Sequence, residues 1–175
     1  MLFRSAWSHL LPDSTEGRPV TRNGYAAAYE ASSARLFVFG GMTPHRRATS
    51  ELWVLDHADG ESGAPRWHAL SCAGDAPALV TPASAYDSTR DSWMFFGGTD
   101  AAGTARRALW RVDGVMRDPR SCRWSHVPFT EPWPLARSAG MAAGRRGGTE
   151  FLIFGGNVEM FSVRDAWVFT DSVRR

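Results

Sequence analysis

The stretch Leu36-Phe37-Val38-Phe39-Gly40-Gly41 is a short apolar run that ends in two glycines. The same pattern returns at 93–98 and at 151–156. The Phe-Gly-Gly triplets begin at residues 39, 96 and 154, so their spacings are 57 and 58 residues. A fixed period of this length is typical of a chain built from repeated supersecondary units.

Two series of tryptophans keep the same period. The first series lies downstream of each double glycine, at Trp53, Trp110 and Trp167, with spacings of 57 residues. The second series is Trp7, Trp67 and Trp124, and its last two members each follow a tryptophan of the first series by 14 residues. Because several independent landmarks share one period, the chain is predicted to contain three repeats.

Each repeat contains four strand candidates, and no segment shows helical periodicity over ten or more residues. The first candidate is rich in small residues and lies within 24–29, 83–86 or 138–143. The second is the apolar run before the double glycine, and the third and fourth carry the two tryptophan series. Short apolar runs bounded by turn residues predict strands buried on both faces. Four such strands per repeat are typical of a β-propeller blade.

This combination of strands, double glycine and two tryptophans resembles the kelch-repeat β-propeller family, of which the central domain of galactose oxidase is an example. The resemblance implies an all-β fold of three four-stranded antiparallel blades in a single segment, residues 1–175. The blades are placed at about 22–70, 79–127 and 137–170, and strand 6–10 is expected as an extra fourth strand.

Kelch repeats usually carry an arginine ahead of the first strand. Arg22 and Arg137 each stand 18 residues before the first glycine of their blade, whereas the middle blade has Leu79 there. The same two blades carry an acid two residues before the third-strand tryptophan, Glu51 and Asp165. We therefore expect the middle blade to be less firmly held at its loops.

The repeated glycines and tryptophans are assigned structural roles. Glycine permits a positive φ or a close backbone approach, and each tryptophan can bury on the order of 200 Å² between blades. The structural set is Gly40, Gly41, Gly97, Gly98, Gly155, Gly156, Trp7, Trp53, Trp67, Trp110, Trp124 and Trp167.

Three blades are too few for a closed ring, since propellers typically have four to eight. The two end faces would form apolar surfaces larger than a monomer usually exposes. Three structures could cover these end faces: the rest of a longer chain, a second copy that completes a six-bladed ring, or another propeller fragment. In the second case the N-terminal strand would lie beside the third blade of the other copy.

The resemblance places the ligand face on the loops between the second and third strands, here 42–50, 99–107 and 157–164, with help from the loops that lead into the next blade. Arginines in these loops could clamp the carboxylates of an acidic peptide, or they could be ordinary solvated charges. Trp133 is either an exposed anchor or a cap on its blade. The candidate partner-binding residues are His45, Arg46, Arg47, Arg106, Arg107, Arg164, Met160, Phe161 and Trp133.

These features favour a non-catalytic protein-interaction module without a cofactor. The alternative is a sugar-active or metal-dependent kelch enzyme, of oxidase or mutarotase type, acting as part of a larger propeller. No catalytic or metal-binding residue is assigned, because only His45 among the histidines lies on a ligand-face loop.

Composition limits the other classes of partner and the location. A net charge of +2 gives little reason to expect nucleic acid, and no apolar run is long enough for a membrane helix. Cys72 and Cys122, at opposite ends of the outer strand, are not expected to pair. A reduced, cytoplasmic setting is therefore predicted.

Overall fold

The computed structural model describes residues 7–12, 16–144 and 150–170, and within them the regular structure consists only of β-strands. Those ranges contain no helix that could span a membrane. The strands are β1 (Ala26–Glu30), β2 (Arg35–Phe39), β3 (Leu52–Asp56), β4 (Arg66–Leu70), β5 (Ala83–Asp87), β6 (Ser92–Phe96), β7 (Leu109–Asp113), β8 (Arg123–Val127), β9 (Met141–Gly144), β10 (Glu150–Phe154), β11 (Asn157–Val158), β12 (Phe161–Ser162) and β13 (Ala166–Thr170).

The strands form three antiparallel blades, as the propeller prediction requires. The first blade has the order β1-β2-β3-β4 and the second β5-β6-β7-β8, while the described residues of the third have the order β9-β10-β13. The pairing register is the same in the first two blades. Phe39 lies opposite Leu52, and the equivalent residue Phe96 lies opposite Leu109. The repeat in the sequence is therefore a repeat in three dimensions.

Backbone hydrogen bonds join neighbouring blades at the double glycines. Gly41 N–H donates to the carbonyl of Leu79, and Gly98 N–H donates to the carbonyl of Arg137, both at 2.8 Å. A Cβ atom on Gly40 would lie 2.6 Å from the same Leu79 oxygen, and the φ of Gly40 is +70°. Glycine is needed here because a side chain would collide with the next blade. Leu79 itself is buried in the core between the first two blades.

Aromatic side chains fill the wedge between the first two blades. The ring of Trp124 lies 4.6 Å from that of Phe39 and 5.4 Å from that of Phe95. Trp93 is the largest fully buried side chain, yet it belongs to neither phased series. It is buried because β6 lies inside its blade, with a strand on either side, and because its side chain packs in the core shared with the first blade.

The other phased tryptophans are less buried than the sequence pattern predicted. Trp53, Trp67, Trp110 and Trp167 are each only half-buried. Trp53, Trp110 and Trp167 lie on third strands and Trp67 on a fourth strand. Trp124 lies on a fourth strand too, but it is buried because its ring packs on Phe39 of the first blade.

The expected strand 6–10 is not formed. Residues 7–10 have no strand pairing, and Trp7 is completely exposed, while Ala6 lies outside the described residues. A strand at the edge of a sheet requires a neighbour with free backbone groups. The segment leads into the first blade, whose fourth position is already occupied by β4.

The expectation that the cysteines do not pair is wrong, because Cys72 and Cys122 form a disulfide. The two residues do lie at opposite ends of outer strands, but in neighbouring blades. Ala73 N–H donates to the carbonyl of Cys122 at 2.9 Å, and Trp124 N–H donates to the carbonyl of Ala73 at 2.7 Å. The chain that leaves β4 thus runs along the start of β8 and brings the sulfurs together. Since disulfides are rare in reducing compartments, the cytoplasmic location stays a prediction to be tested.

Candidate partner-binding mouth

The loops that follow β2, β6 and β10 lie at the same end of the three blades. Each loop begins with a backbone bridge to the segment that leads into the first strand of its own blade. These bridges join Asn23 to Met42, Val80 to Thr99, and Ser138 to Asn157. The repeated bridge places the three loops in equivalent positions, and we call this end the mouth.

An arginine, an acid and a tryptophan hold the base of the mouth in the third blade. Arg137 donates to Asp165 at 2.6 Å and to the carbonyl of Gly155 at 3.0 Å. The indole N–H of Trp167 donates to the same carboxylate at 2.7 Å. The hydrogen bond from Arg137 is the largest of the effects that lower the pKa of Asp165 to about 2. This arrangement is structural, since its polar groups satisfy one another.

The first blade repeats this arrangement. Arg22 donates to Glu51 and to the carbonyl of Gly40, and Trp53 donates to Glu51 at 3.0 Å. The hydrogen bond from Arg22 is the main reason that the pKa of Glu51 lies below its usual value. The arginine and acid positions noted in the sequence are therefore partners across the base of the first and third mouth loops.

The first mouth loop presents its cations to solvent. Its tip is a turn in which Thr43 N–H donates to the carbonyl of Arg47 and Arg46 N–H donates to the carbonyl of Thr43, both at 2.9 Å. His45, Arg46 and Arg47 are all exposed. Within the described part of the chain, no carboxylate pairs with either arginine.

The second mouth loop uses its arginines differently. Arg106 forms an ion pair with Asp100 at 2.6 Å. Asp100 also accepts backbone hydrogen bonds from Thr104 and Ala102, and the bond from Thr104 is the largest cause of its lowered pKa. Arg106 is therefore already neutralised inside its own loop.

Trp133 is half-buried, and the structure places it beside the second mouth loop. The guanidinium carbon of Arg107 lies 4.6 Å from the centre of the Trp133 ring. Phe129 contacts the same ring edge-on, at 5.2 Å between centroids. Trp133 thus covers part of its own blade and binds Arg107 through a cation–π contact.

The third mouth loop contains a hairpin that the sequence pattern did not predict. Strands β11 and β12 pair Val158 with Phe161. Two apolar side chains stand at the tip of this hairpin, where Met160 is 93% and Phe161 71% exposed. Arg164 follows and is also exposed. The mouth therefore combines cations on its first loop with apolar groups on its third.

The chemical groups for catalysis are sparse in the described ranges. Asp100 and Glu159 occupy related loops, but no three histidine, cysteine, aspartate or glutamate side chains come together there as metal ligands.

A second feature, missed by the sequence reasoning, is a cavity of about 760 Å³ between the second and third blades. Phe96, Ile153, Trp167 and Phe169 line it, together with Trp133. The signal that could have revealed it is that no fourth strand pairs with β13 in the described residues, so the space beside β13 is uncovered there.

Comparison with known proteins identifies the family. The model of the KLHDC2/KLHL20/DRC7 kelch-repeats domain matches residues 2–172. The chain belongs to the kelch-repeat family. No curated protein matches this kelch chain.

Solved structures share the fold. The structure of YjhT has 14% sequence identity to this kelch chain and a TM-score of 0.62. The match covers 89% of this chain but 45% of the YjhT chain. The likeness shows the fold, and the kelch chain spans less than half the length of that protein.

Proposed function

We propose that this kelch chain is a non-catalytic protein-interaction module that binds an acidic peptide segment at its mouth. One arrangement carries the proposal: exposed cations and exposed apolar side chains lie at the same end of the blades. The cations are Arg46, Arg47 and Arg164, and the apolar groups are Met160 and Phe161.

The two kinds of group have separate roles in the proposed complex. A guanidinium can donate two parallel hydrogen bonds to a carboxylate, which fixes the orientation of an acidic side chain. Burial of a phenylalanine contributes about 2 kcal/mol, and aromatic residues and arginines are common interface hot spots. Phe161 would supply most of the affinity, and the first loop would select for acidic residues.

The arginines are not expected to contribute equally. Arg106 is paired with Asp100, and Arg107 lies on Trp133. A ligand carboxylate would have to displace those partners, whereas Arg46 and Arg47 have no carboxylate partner in the described ranges. The first loop is therefore the sensitive place for a test.

The experiment is selection of random linear peptides on the purified protein, followed by fluorescence anisotropy with the enriched peptides. We expect acidic sequences, and we expect R46E/R47E to weaken their binding at least about tenfold, roughly 1.4 kcal/mol. The control R66E/R120E makes the same change of charge at exposed arginines of β4 and of the β7–β8 loop. It should bind like the wild type.

Several results would contradict the proposal. Equal weakening by R66E/R120E would show a general charge effect instead of a site. Enrichment of peptides without acidic residues would remove the role given to the arginines. Tight, strongly salt-dependent binding of random oligonucleotides in preference to peptides would indicate a nucleic-acid partner.

A further inference from the structure

The third blade has an open edge and an open cavity at the same place. In the described residues, β13 pairs with β10 on one side and with no strand on the other. The cavity of about 760 Å³ lies beside it, between the second and third blades. In the first two blades the corresponding edge is covered by β4 and β8.

The middle blade shows what fills such a place. In β8, Trp124 pairs with Val112 and His126 pairs with Trp110 of the third strand. The ring of Trp124 contacts Phe39 of the first blade and Phe95 of its own blade. The imidazole of His126 lies edge-on to the ring of Trp110, at 5.2 Å.

Phe39, Phe95, Trp110 and Val112 are the four contact positions around β8. Their equivalents one blade further along the chain surround the cavity. By their offsets from the double glycines, Phe96 takes the place of Phe39 and Ile153 that of Phe95. By their places on the third strand, Trp167 replaces Trp110 and Phe169 replaces Val112. All four line the cavity: Phe96, Ile153, Trp167 and Phe169. The cavity is thus a socket shaped for a strand with the pattern Trp-x-His.

The chain carries a second copy of the strand that fills the equivalent socket. Trp7-Ser8-His9-Leu10 repeats Trp124-Ser125-His126-Val127, with three identical residues and leucine in place of valine. The side chain of Trp7 is fully exposed to solvent. A fully exposed tryptophan and an aromatic-lined cavity are therefore present in the same molecule.

Residues 7–10 do not line the socket of their own chain. Leu10 lies against the β3–β4 turn of the first blade, where a Cβ atom on Gly60 would be 2.6 Å from its Cδ2 atom. The middle blade separates this point from the third blade, and three blades are too few to close on themselves. A second copy of the chain can present the segment from the correct side.

We propose that two copies of this chain close one six-bladed ring, in which residues 7–10 of each copy form the fourth strand of the third blade of the other. Trp7 enters the socket between Phe96 and Ile153. His9 lies beside Trp167, as His126 lies beside Trp110. The mouth then contains loops from both copies.

Backbone groups of the first and third blades can form, between two copies, the same hydrogen bonds that join the blades within one chain. At both joints inside the chain, a second glycine donates to the residue four positions before the next first strand, as Gly98 does to Arg137. Nearer the first strands, Ala139 N–H donates to Thr81 and Thr81 N–H donates to Gly24. Between copies, the same pattern pairs Gly156 N–H with the carbonyl of Arg22, and Gly24 N–H with the carbonyl of Ala139. The YjhT chain, of which this chain covers 45%, has length for about two such segments.

The first test is sedimentation equilibrium of the 175-residue protein. We expect a dimer of twice the 19.3 kDa chain mass. Trp7→Ala should raise the dimer dissociation constant about 1000-fold, because each dimer buries two copies of Trp7 and truncation of a buried interface tryptophan costs about 2 kcal/mol or more. Arg120→Ala, which truncates an exposed side chain of the β7–β8 loop in the middle blade, should leave the dimer unchanged. A wild-type monomer overturns the proposal.

The second test reads the strand pairing directly. Ser125 lies opposite Arg111 in the middle blade, so Ser8 of one copy should lie opposite Val168 of the other. The double variant Ser8→Cys/Val168→Cys should give a covalent dimer on a non-reducing gel, whereas Ser8→Cys/Tyr29→Cys should not. A cross-link within one chain, or equal cross-linking by both variants, overturns the proposal. A peptide of residues 2–12 should bind the Trp7→Ala protein, and the same peptide with alanine at Trp7 should not.

Discussion

The Arg137 guanidinium donates to both carboxylate oxygens of Asp165, at 2.6 and 3.0 Å, although Arg137 is only 1% exposed. The carbonyl of the same arginine accepts the hydrogen bond from Gly98 of the preceding blade. Arg137 therefore connects the second blade through its backbone to the third blade through its side chain. Its burial makes the partner carboxylate important for stability.

Removal of that carboxylate should destabilise the protein. Asp165→Ala leaves a buried guanidinium without its counter-charge, a change that costs about 3–5 kcal/mol at fully buried sites. Since the Asp165 side chain is 41% exposed, water can replace part of the lost interaction, and we expect about 2 kcal/mol. Urea unfolding measures this difference. Glu61→Ala removes an exposed carboxylate of the β3–β4 turn and should change little.

The same pair should make stability depend on acid pH. The pKa of Asp165 is lowered from 3.8 to about 2 in the folded state, first by its hydrogen bond from Arg137. A carboxyl with a lowered folded pKa stabilises the protein above the unfolded value and loses that contribution as the pH falls. The free energy of unfolding should therefore decrease between about pH 4 and pH 2, and Asp165→Asn should show a shallower decrease.

A second carboxylate adds to this dependence. Burial of Glu30 opposes its ionisation, but hydrogen bonds from Ser32 and Ser33 outweigh burial and bring its pKa to about 2. Asp165→Asn should thus flatten the pH curve only partly. A slope identical to the wild type would show that Asp165 is not tied to Arg137 in solution.

The disulfide should stabilise the joint between the first two blades. Cys72 and Cys122 are 50 residues apart, and closing a loop of that size contributes about 4 kcal/mol in the chain-entropy account. Cys72→Ser/Cys122→Ser should lower Tm by roughly 10 °C, and reduction of the wild type should have the same effect. Thiol titration of the unfolded, unreduced protein should find no free cysteine, and two free thiols would contradict the bond.

Trp93→Phe should be tolerated, whereas Trp93→Ala should strongly destabilise the protein. Its side chain is fully buried, and within the described residues its indole N–H has no hydrogen-bond partner. Trp93→Phe removes that unpaired donor, which offsets part of the lost packing, so we expect a change within about 1 kcal/mol. Trp93→Ala should cost about 4 kcal/mol because it opens a large cavity. Equal losses in urea unfolding would mean that the indole N–H is satisfied.

The local sequence pattern was sufficient to predict the strands of the three blades. The double glycines, the small first strands and the phased tryptophans depend on contacts that recur in every repeat, so the sequence carries them as a period. In each of the three repeats, the first, second and third strands lie where the period predicted them, which accounts for nine strands. The fourth strands β4 and β8 both carry the expected tryptophan. The mouth loops could also be located, because they follow the same strands.

Whether an individual side chain is buried or paired could not be predicted from the repeat period. Arg46 and Arg106 both lie in mouth loops, yet Arg106 is paired with Asp100 and Arg46 is free of carboxylate partners in the described ranges. Trp93 is buried more deeply than the phased tryptophans because burial depends on which neighbours cover a position. The hairpin at Met160 and Phe161 departs from the other two loops and breaks the repeat.

The sequence by itself determined that the chain is built from three kelch blades with a mouth at one end. The tertiary structure decided the rest: that Cys72 meets Cys122 across a blade joint, and that Trp7 is exposed to solvent while an aromatic-lined cavity lies beside β13. A repeat encodes the contacts that each unit makes with the next. It does not encode contacts between segments that the fold brings together from different units, since those depend on how the blades are arranged in space.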